Sequence, residues 1–176
     1  MRKDSGLTPI EVLMVVATVG TIAAIVTPSL LNAIDRGEQK VAMADMRSLS
    51  MAYDVYSVDN NRSRQKRTVA EMRSIAMALE AYLVDNNYYP VQTTQGPLSP
   101  YVNSMLTPKY TKVLPTIDGW NWQIQYGSSA GGGAYTIRSY GKDGIKNGTP
   151  GATTDFNCDI VFRNGQFTSY PLGIQT

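Results

Sequence analysis

The stretch Ser5-Gly6-Leu7-Thr8-Pro9-Ile10-Glu11-Val12, with the uncharged run at residues 12–34 behind it, decides how the whole chain is read. As a helix those 23 residues span about 34 Å, against roughly 30 Å for the hydrocarbon core of a bilayer. A membrane segment is therefore expected over residues 7–35, behind a leader at residues 1–6 whose Arg2 and Lys3 stay cytoplasmic. An ordinary secretory signal is disfavoured: Glu11 stands at the mouth of the apolar run, and no clear small-x-small cleavage signal follows it. A carboxylate in hydrocarbon costs about 2.5–3.5 kcal/mol on insertion scales, so Glu11 needs a partner. Cleavage after Gly6 would supply one, because Leu7 would then carry a cationic amine four residues before Glu11, on the same helical face. The alternative is that Glu11 lies at the lipid headgroups of a single-pass anchor.

Gly6-Leu7-Thr8-Pro9-Ile10-Glu11-Val12 resembles the processing site of the type IV pilin superfamily. That resemblance implies cleavage after Gly6 and methylation of the Leu7 amine by prepilin peptidase. It also implies that Glu11 attracts the amine of a neighbouring subunit during assembly. Pro9 departs from the family pattern, which has an apolar residue such as Leu there, yet proline in a first helical turn sacrifices no intrahelical bond. Pro28, mid-run, removes a backbone donor and is expected to kink or locally melt the helix; pilin-like chains carry a proline at the corresponding place.

The 176 residues, 43% of them hydrophobic, allow one membrane segment and one small domain. Removing Arg2, Lys3 and Asp4 with the leader takes the formal charge from +2 to +1, which gives no reason to expect a nucleic-acid partner. The chain has no His and a single Cys, Cys158. Triads that need histidine are thus excluded, a zinc site of the usual ligands is disfavoured, and no enzyme is expected. Internal disulfides are excluded too, and Cys158 reads as a buried small hydrophobe.

Beyond the exit from the membrane at Asp35-Arg36-Gly37-Glu38 lies a tandem duplication. Residues 39–61 recur as 65–87 at an offset of 26, with 13 of 23 positions identical. Two copies are too few for a solenoid, so the duplication is read as lying within one helix over residues 36–89. The second copy runs into Tyr88-Tyr89-Pro90, where the proline enforces a stop, and its Val69, Met72, Ile75, Leu79 and Leu83 share one face. This copy is expected to pack on the globular domain. The first copy has Tyr53 and Ser57 in place of Leu79 and Leu83 and should be the less buried one. A continuous helix would place the two faces roughly 80° apart; it is favoured over a hairpin broken near residues 60–64, since Asn and Ser weaken a helix less than Pro or Gly. Tyr53, Tyr56, Tyr82, Tyr88 and Tyr89 are read as packing residues.

Residues 90–118 hold five prolines and form a connecting region of turns with one short helix near residues 99–106. From residue 119 the period becomes two. Residues 123–126, 135–140, 159–163 and 166–170 read as strands, with Asn164-Gly165 as a type I′ hairpin turn. The expected fold is α+β: a long N-terminal helix whose second half carries a C-terminal antiparallel sheet of three or four strands, with Trp120, Trp122, Ile124, Ile137, Ile160 and Phe162 in the core. The Gly-rich loop between strands holds Asp143, Asp155 and Asp159. Carboxylates with backbone carbonyls suit calcium, which takes six to eight oxygens; on chemistry alone, acidic residues that merely shape turns are the simpler reading.

Asp118-Gly119-Trp120, Ile124-Gln125-Tyr126, residues 137–144 and Cys158-Asp159-Ile160 resemble the C-terminal region of the major pseudopilins of type II secretion. The resemblance implies calcium in this loop, with Asp143 and Asp159 at the family's acidic positions; Asp155 is added from proximity. Asn121-Trp122-Gln123 departs from the family's Gly-Asn-Pro. The implied function is a structural subunit that polymerises through its N-terminal helix into a periplasmic pseudopilus and drives export of folded proteins. Implied partners are further copies of the chain, minor pseudopilins or pilins, prepilin peptidase and the inner-membrane assembly platform. Localisation would be the bacterial inner membrane with the bulk in the periplasm. A surface pilus for adhesion or motility, and an uncleaved, anchored periplasmic binding domain, are the alternatives.

Overall fold

Helix α1, Pro9–Asn86, starts where the sequence supplies every element of a helix N-terminus. Thr8 precedes Pro9, whose fixed φ suits the first helical position, and the Glu11 carboxylate reaches back to the Thr8 N–H, one half of a capping box; the Thr8 hydroxyl donates to the same carboxylate, and the Glu11 N–H bonds the Thr8 carbonyl. The computed structural model describes residues 8–148 and 151–173, so Gly6 and Leu7 lie outside the described residues. The chain divides into two compact units, Met1–Val55 and Tyr56–Thr176.

In the first unit every described residue from Thr8 on is solvent-exposed and, from Pro9, helical. Its apolar window has a mean hydropathy of 2.2, sufficient in length and composition to cross a bilayer. Within it the Thr18, Thr21 and Thr27 hydroxyls donate to carbonyls three or four residues back, which spares them from lying bare among apolar side chains. The helix is not interrupted at Pro28, so the local melting expected there does not occur.

In the second unit α1 also continues unbroken through residues 60–64. It stops at Asn87, not at Pro90: Asn87 adopts the left-handed conformation (φ 62°) and its N–H bonds the Leu83 carbonyl at 2.7 Å. The same tetrapeptide, Val-Asp-Asn-Asn, passes through helix at residues 58–61, where Arg62-Ser63-Arg64 follow instead of Tyr88-Tyr89-Pro90. Val69, Met72, Ile75 and Leu79 are buried as expected, and Leu83 is partly so. Fully enclosing side chains such as Met72, Ile75 and Leu79 gains about 1.5–3 kcal/mol each.

The prolines of the connecting region leave room for β1 (Gly96–Pro97) and for α2 (Pro100–Leu106), capped by Ser99, whose hydroxyl accepts from the Val102 N–H. The strands β2 (Gln125–Ser128), β3 (Tyr135–Ser139), β4 (Gly151–Thr153), β5 (Ile160–Arg163) and β6 (Gln166–Pro171) follow. They form one sheet of six strands in the order β1-β2-β3-β5-β6-β4, all antiparallel except β4, which lies parallel to β6. Four of these are the strands read from the sequence. The two extra edge strands are two and three residues long, too short for an alternation to show. Asn164 and Gly165 both have positive φ, as a type I′ turn requires.

The core joins the α1 face to Ile124, Tyr126, Tyr135, Ile137, Ile160 and Phe162, with Val102 and Leu106 from α2. Trp120 packs at its margin, but Trp122 is 46% exposed and Cys158 only half-buried, against expectation. Both belong to the loop layer beside the sheet, not to the interface with α1. Tyr82 packs edge-on to Tyr88 and Tyr110, and Tyr89 on Tyr135; Tyr53 and Tyr56, by contrast, are exposed.

Candidate functional site

At the helix start, Glu11 accepts from both the Thr8 N–H and the Thr8 hydroxyl, each at 2.8 Å, and both bonds fall on Oε2. The sequence expectation gives Glu11 the Leu7 amine, which lies outside the described residues. The signal for the bond observed, Thr8-Pro9-Ile10-Glu11 read as a capping box, was present in the sequence all the same.

The loop between β3 and β5 is organised by Asn147, which the sequence reading does not single out. Its side-chain N–H donates to Asp143 Oδ2 (3.3 Å) and to the Asn157 carbonyl (3.0 Å). Its main-chain N–H donates to Asp159 Oδ1 and its Oδ1 accepts from the Asp159 N–H, both at 3.1 Å. Asp159 is fully buried; its other oxygen takes Arg138 Nη1 at 2.7 Å, and its carbonyl takes the Ser169 hydroxyl. Asp143 Oδ1 accepts from the Ile145 N–H. Asp155 is turned to its own segment, where it accepts from the Asn157 N–H, and among the described residues no three His, Cys, Asp or Glu side chains lie close enough to share an ion.

The structure thus joins Asp143 and Asp159 through one asparagine and leaves Asp155 apart. Their oxygens, with the Asn157 carbonyl, are hard donors of the kind calcium takes. Gly144 shapes this loop from below. Its φ is +68°, and a Cβ there would lie 2.5 Å from the Trp122 ring, whose Nε1 donates to the Lys142 carbonyl. The exposed Trp122 therefore closes the loop instead of filling the core.

A second constellation ties the loops to α1. The buried Asp118 accepts from the Trp120 and Trp122 N–H groups through Oδ1, both at 2.9 Å, and from the Ser139 hydroxyl through Oδ2 at 2.6 Å. Gly119 then lies so close to the helix that a Cβ would stand 2.2 Å from the Arg64 carbonyl oxygen. Its N–H donates to Thr68 Oγ1, and Arg64 Nη1 donates to its carbonyl. Asp118-Gly119-Trp120 is thus a clamp on residues 61–68, a role that its residue types alone do not announce.

A family model for type II secretion system protein G matches residues 59–159, from the last turn of the first copy to Asp159. The chain belongs to this family. Protein G is the major pseudopilin of its system. The type II secretion system core protein G of Vibrio cholerae is 29% identical over 155 residues, covering 84% of this pseudopilin and 87% of that protein. The Dickeya chrysanthemi protein of the same name is 26% identical over 153 residues, covering 82% and 81% respectively. The Aeromonas hydrophila one is 38% identical over 61 residues, 35% of this pseudopilin and 43% of that protein. The recognised family, the α+β fold and the function of a major pseudopilin all follow the reading made from the N-terminal and C-terminal motifs.

Proposed function

We propose that this pseudopilin is cleaved after Gly6, methylated at Leu7 by a prepilin peptidase, and held in the bacterial inner membrane by α1 until it is polymerised. Its bulk faces the periplasm, and its work is mechanical: it has no catalytic site and adds length to a pseudopilus that drives folded proteins outward. The observation that carries this reading is the apolar, fully exposed start of α1, headed by one carboxylate, in a chain of the protein G family. Glu11 caps its own helix through Oε2, which leaves Oε1 for the Leu7 ammonium of a neighbouring subunit, an attraction worth most where water is excluded. Minor pseudopilins and an inner-membrane platform would be the other partners.

The test is the mature N-terminus by mass spectrometry, together with filament assembly in Glu11→Ala. Cleavage at Leu7 with lost assembly is the expected pair of results; normal filaments from the variant refute the role of Glu11.

A calcium ion in the β3–β5 loop belongs to the same proposal. Asp143, Asp159 and the Asn157 carbonyl would hold it, and it would supply the cross-link that a domain with one cysteine lacks. Supporting this is the convergence of those oxygens on Asn147. Thermal unfolding of the full chain in detergent, with calcium and then chelator, decides it. At 100 times its dissociation constant calcium adds about 2.7 kcal/mol, and this gain should vanish in Asp143→Ala.

A further inference from the structure

The first copy of the duplication, residues 39–61, has no role in the reading above, and nearly all of it precedes the span matched by the family model. Its pattern is nevertheless that of a core helix. Met43, Met46, Leu49 and Tyr53 stand where the second copy has Val69, Met72, Ile75 and Leu79. Those four are at most 4% exposed, whereas the first-copy residues are 54–71% exposed. At about 100° per residue they fall, with Gln39, Ala42 and Ser50, within an arc of about 120°. Soluble surfaces rarely leave such a stripe bare.

Three observations select what covers it. The sheet of the same chain already carries the second copy, so its own domain is taken. Residues 35–59 hold Asp35, Arg36, Glu38, Lys40, Asp45, Arg47, Asp54 and Asp59, too many charges for a segment lying in lipid. The charges are also sorted: Glu38 and Asp45, seven apart, border one edge of the stripe, and Lys40 and Arg47, seven apart, border the other beside Arg36; the exceptions are Asp54 on the basic edge and Asp35, which heads the stripe itself. When two identical helices lie side by side in the same direction, the acidic edge of one meets the basic edge of the next. In opposite directions like edges would meet.

We propose that this stripe is an interface between copies of this chain, packed parallel, first copy against first copy. It rests on the reading that the chain polymerises through α1, because that is what aligns subunits in one direction. The duplication then adds a contact between neighbours without altering the domain.

The experiment uses the full chain, expressed in cells and oxidised in the membrane fraction, with the unsubstituted chain as the Cys158 blank. Met46→Cys and Leu49→Cys report the stripe, Met51→Cys and Val55→Cys the opposite face, and Val16→Cys the apolar start of α1. The expected result is a several-fold excess of covalent dimer at the stripe over the opposite face. Glu38→Lys with Asp45→Lys should abolish that excess, and adding Lys40→Glu with Arg47→Glu should restore it. Equal dimer on both faces, or none at the stripe while Val16→Cys still links, overturns the interface. A charge reversal without effect overturns the parallel arrangement, and failure of Val16→Cys as well overturns polymerisation and the interface with it.

Discussion

Asp118 offers the sharpest test of what holds the loop layer to α1. Replacing it with Ala removes one buried carboxylate and strands three donors at once, the Trp120 and Trp122 N–H groups and the Ser139 hydroxyl. A hydrogen bond to a charged group contributes about 1.5–3 kcal/mol. Allowing for the desolvation of the carboxylate that the substitution relieves, the expected loss is about 3–5 kcal/mol, a large share of a typical total of about 5–15 kcal/mol. Asp118→Asn keeps an oxygen for both N–H groups, and the Ser139 hydroxyl has only to turn and accept from the new amide, so about 1–2 kcal/mol is expected. Trp120 and Trp122 flank the site, which makes tryptophan fluorescence during urea unfolding of the detergent-solubilised chain the natural assay. The midpoints should fall in that order with an unchanged slope. An alanine variant within about 1 kcal/mol of the parent, or an asparagine variant as damaged as the alanine one, refutes the assignment of Asp118 as the centre of the clamp.

Burial, then the hydrogen bond and the charge of Glu80, push the Tyr89 phenol up to about 12. A raised folded value means that stability is complete below pH of about 10 and is lost as pH rises toward 12, so ultraviolet titration should show Tyr89 ionising late and unfolding easing over that window. Gly144→Val should displace the Trp122 ring and raise its exposure, measurable as a red shift in its emission, while the α1 core stays intact by circular dichroism. Deleting residues 39–64 should leave a folded domain that is weaker by about 1–2 kcal/mol, since the bonds of Arg64 to Gly119 and of Asn61 to Trp120 are lost. A deletion variant that fails to fold would show that the first copy is part of the core.

The large features were legible because they rest on periodicity and composition. The uncharged run, the face shared by Met72, Ile75 and Leu79, and the Asn164-Gly165 turn each follow from one local rule. What escaped was of another kind. Trp122 looks like a core residue by type, yet its place is set by a glycine 22 positions further on. Asn147 carries no sign of its role, because two aspartates, a carbonyl and an asparagine come together only once β3 and β5 are paired. The bonds of Glu11 to the Thr8 N–H and hydroxyl rest on a Thr-x-x-Glu spacing that the charge argument passes over. Pro90 is the conspicuous helix stop, yet Asn87 in a left-handed turn ends the helix first.

The sheet has a consequence of another sort. Its outermost strands are stubs: β1 is a glycine and a proline, and β4 is three residues long. A full-length bare edge would invite another chain to add a strand, and molecules crowded in one membrane would grow ribbons by their sheets. With one rim ending in a residue that has no N–H to offer and the other too short to template a partner, that route to a fibre is blunted. In the proposed assembly, fibre growth is left to the helix.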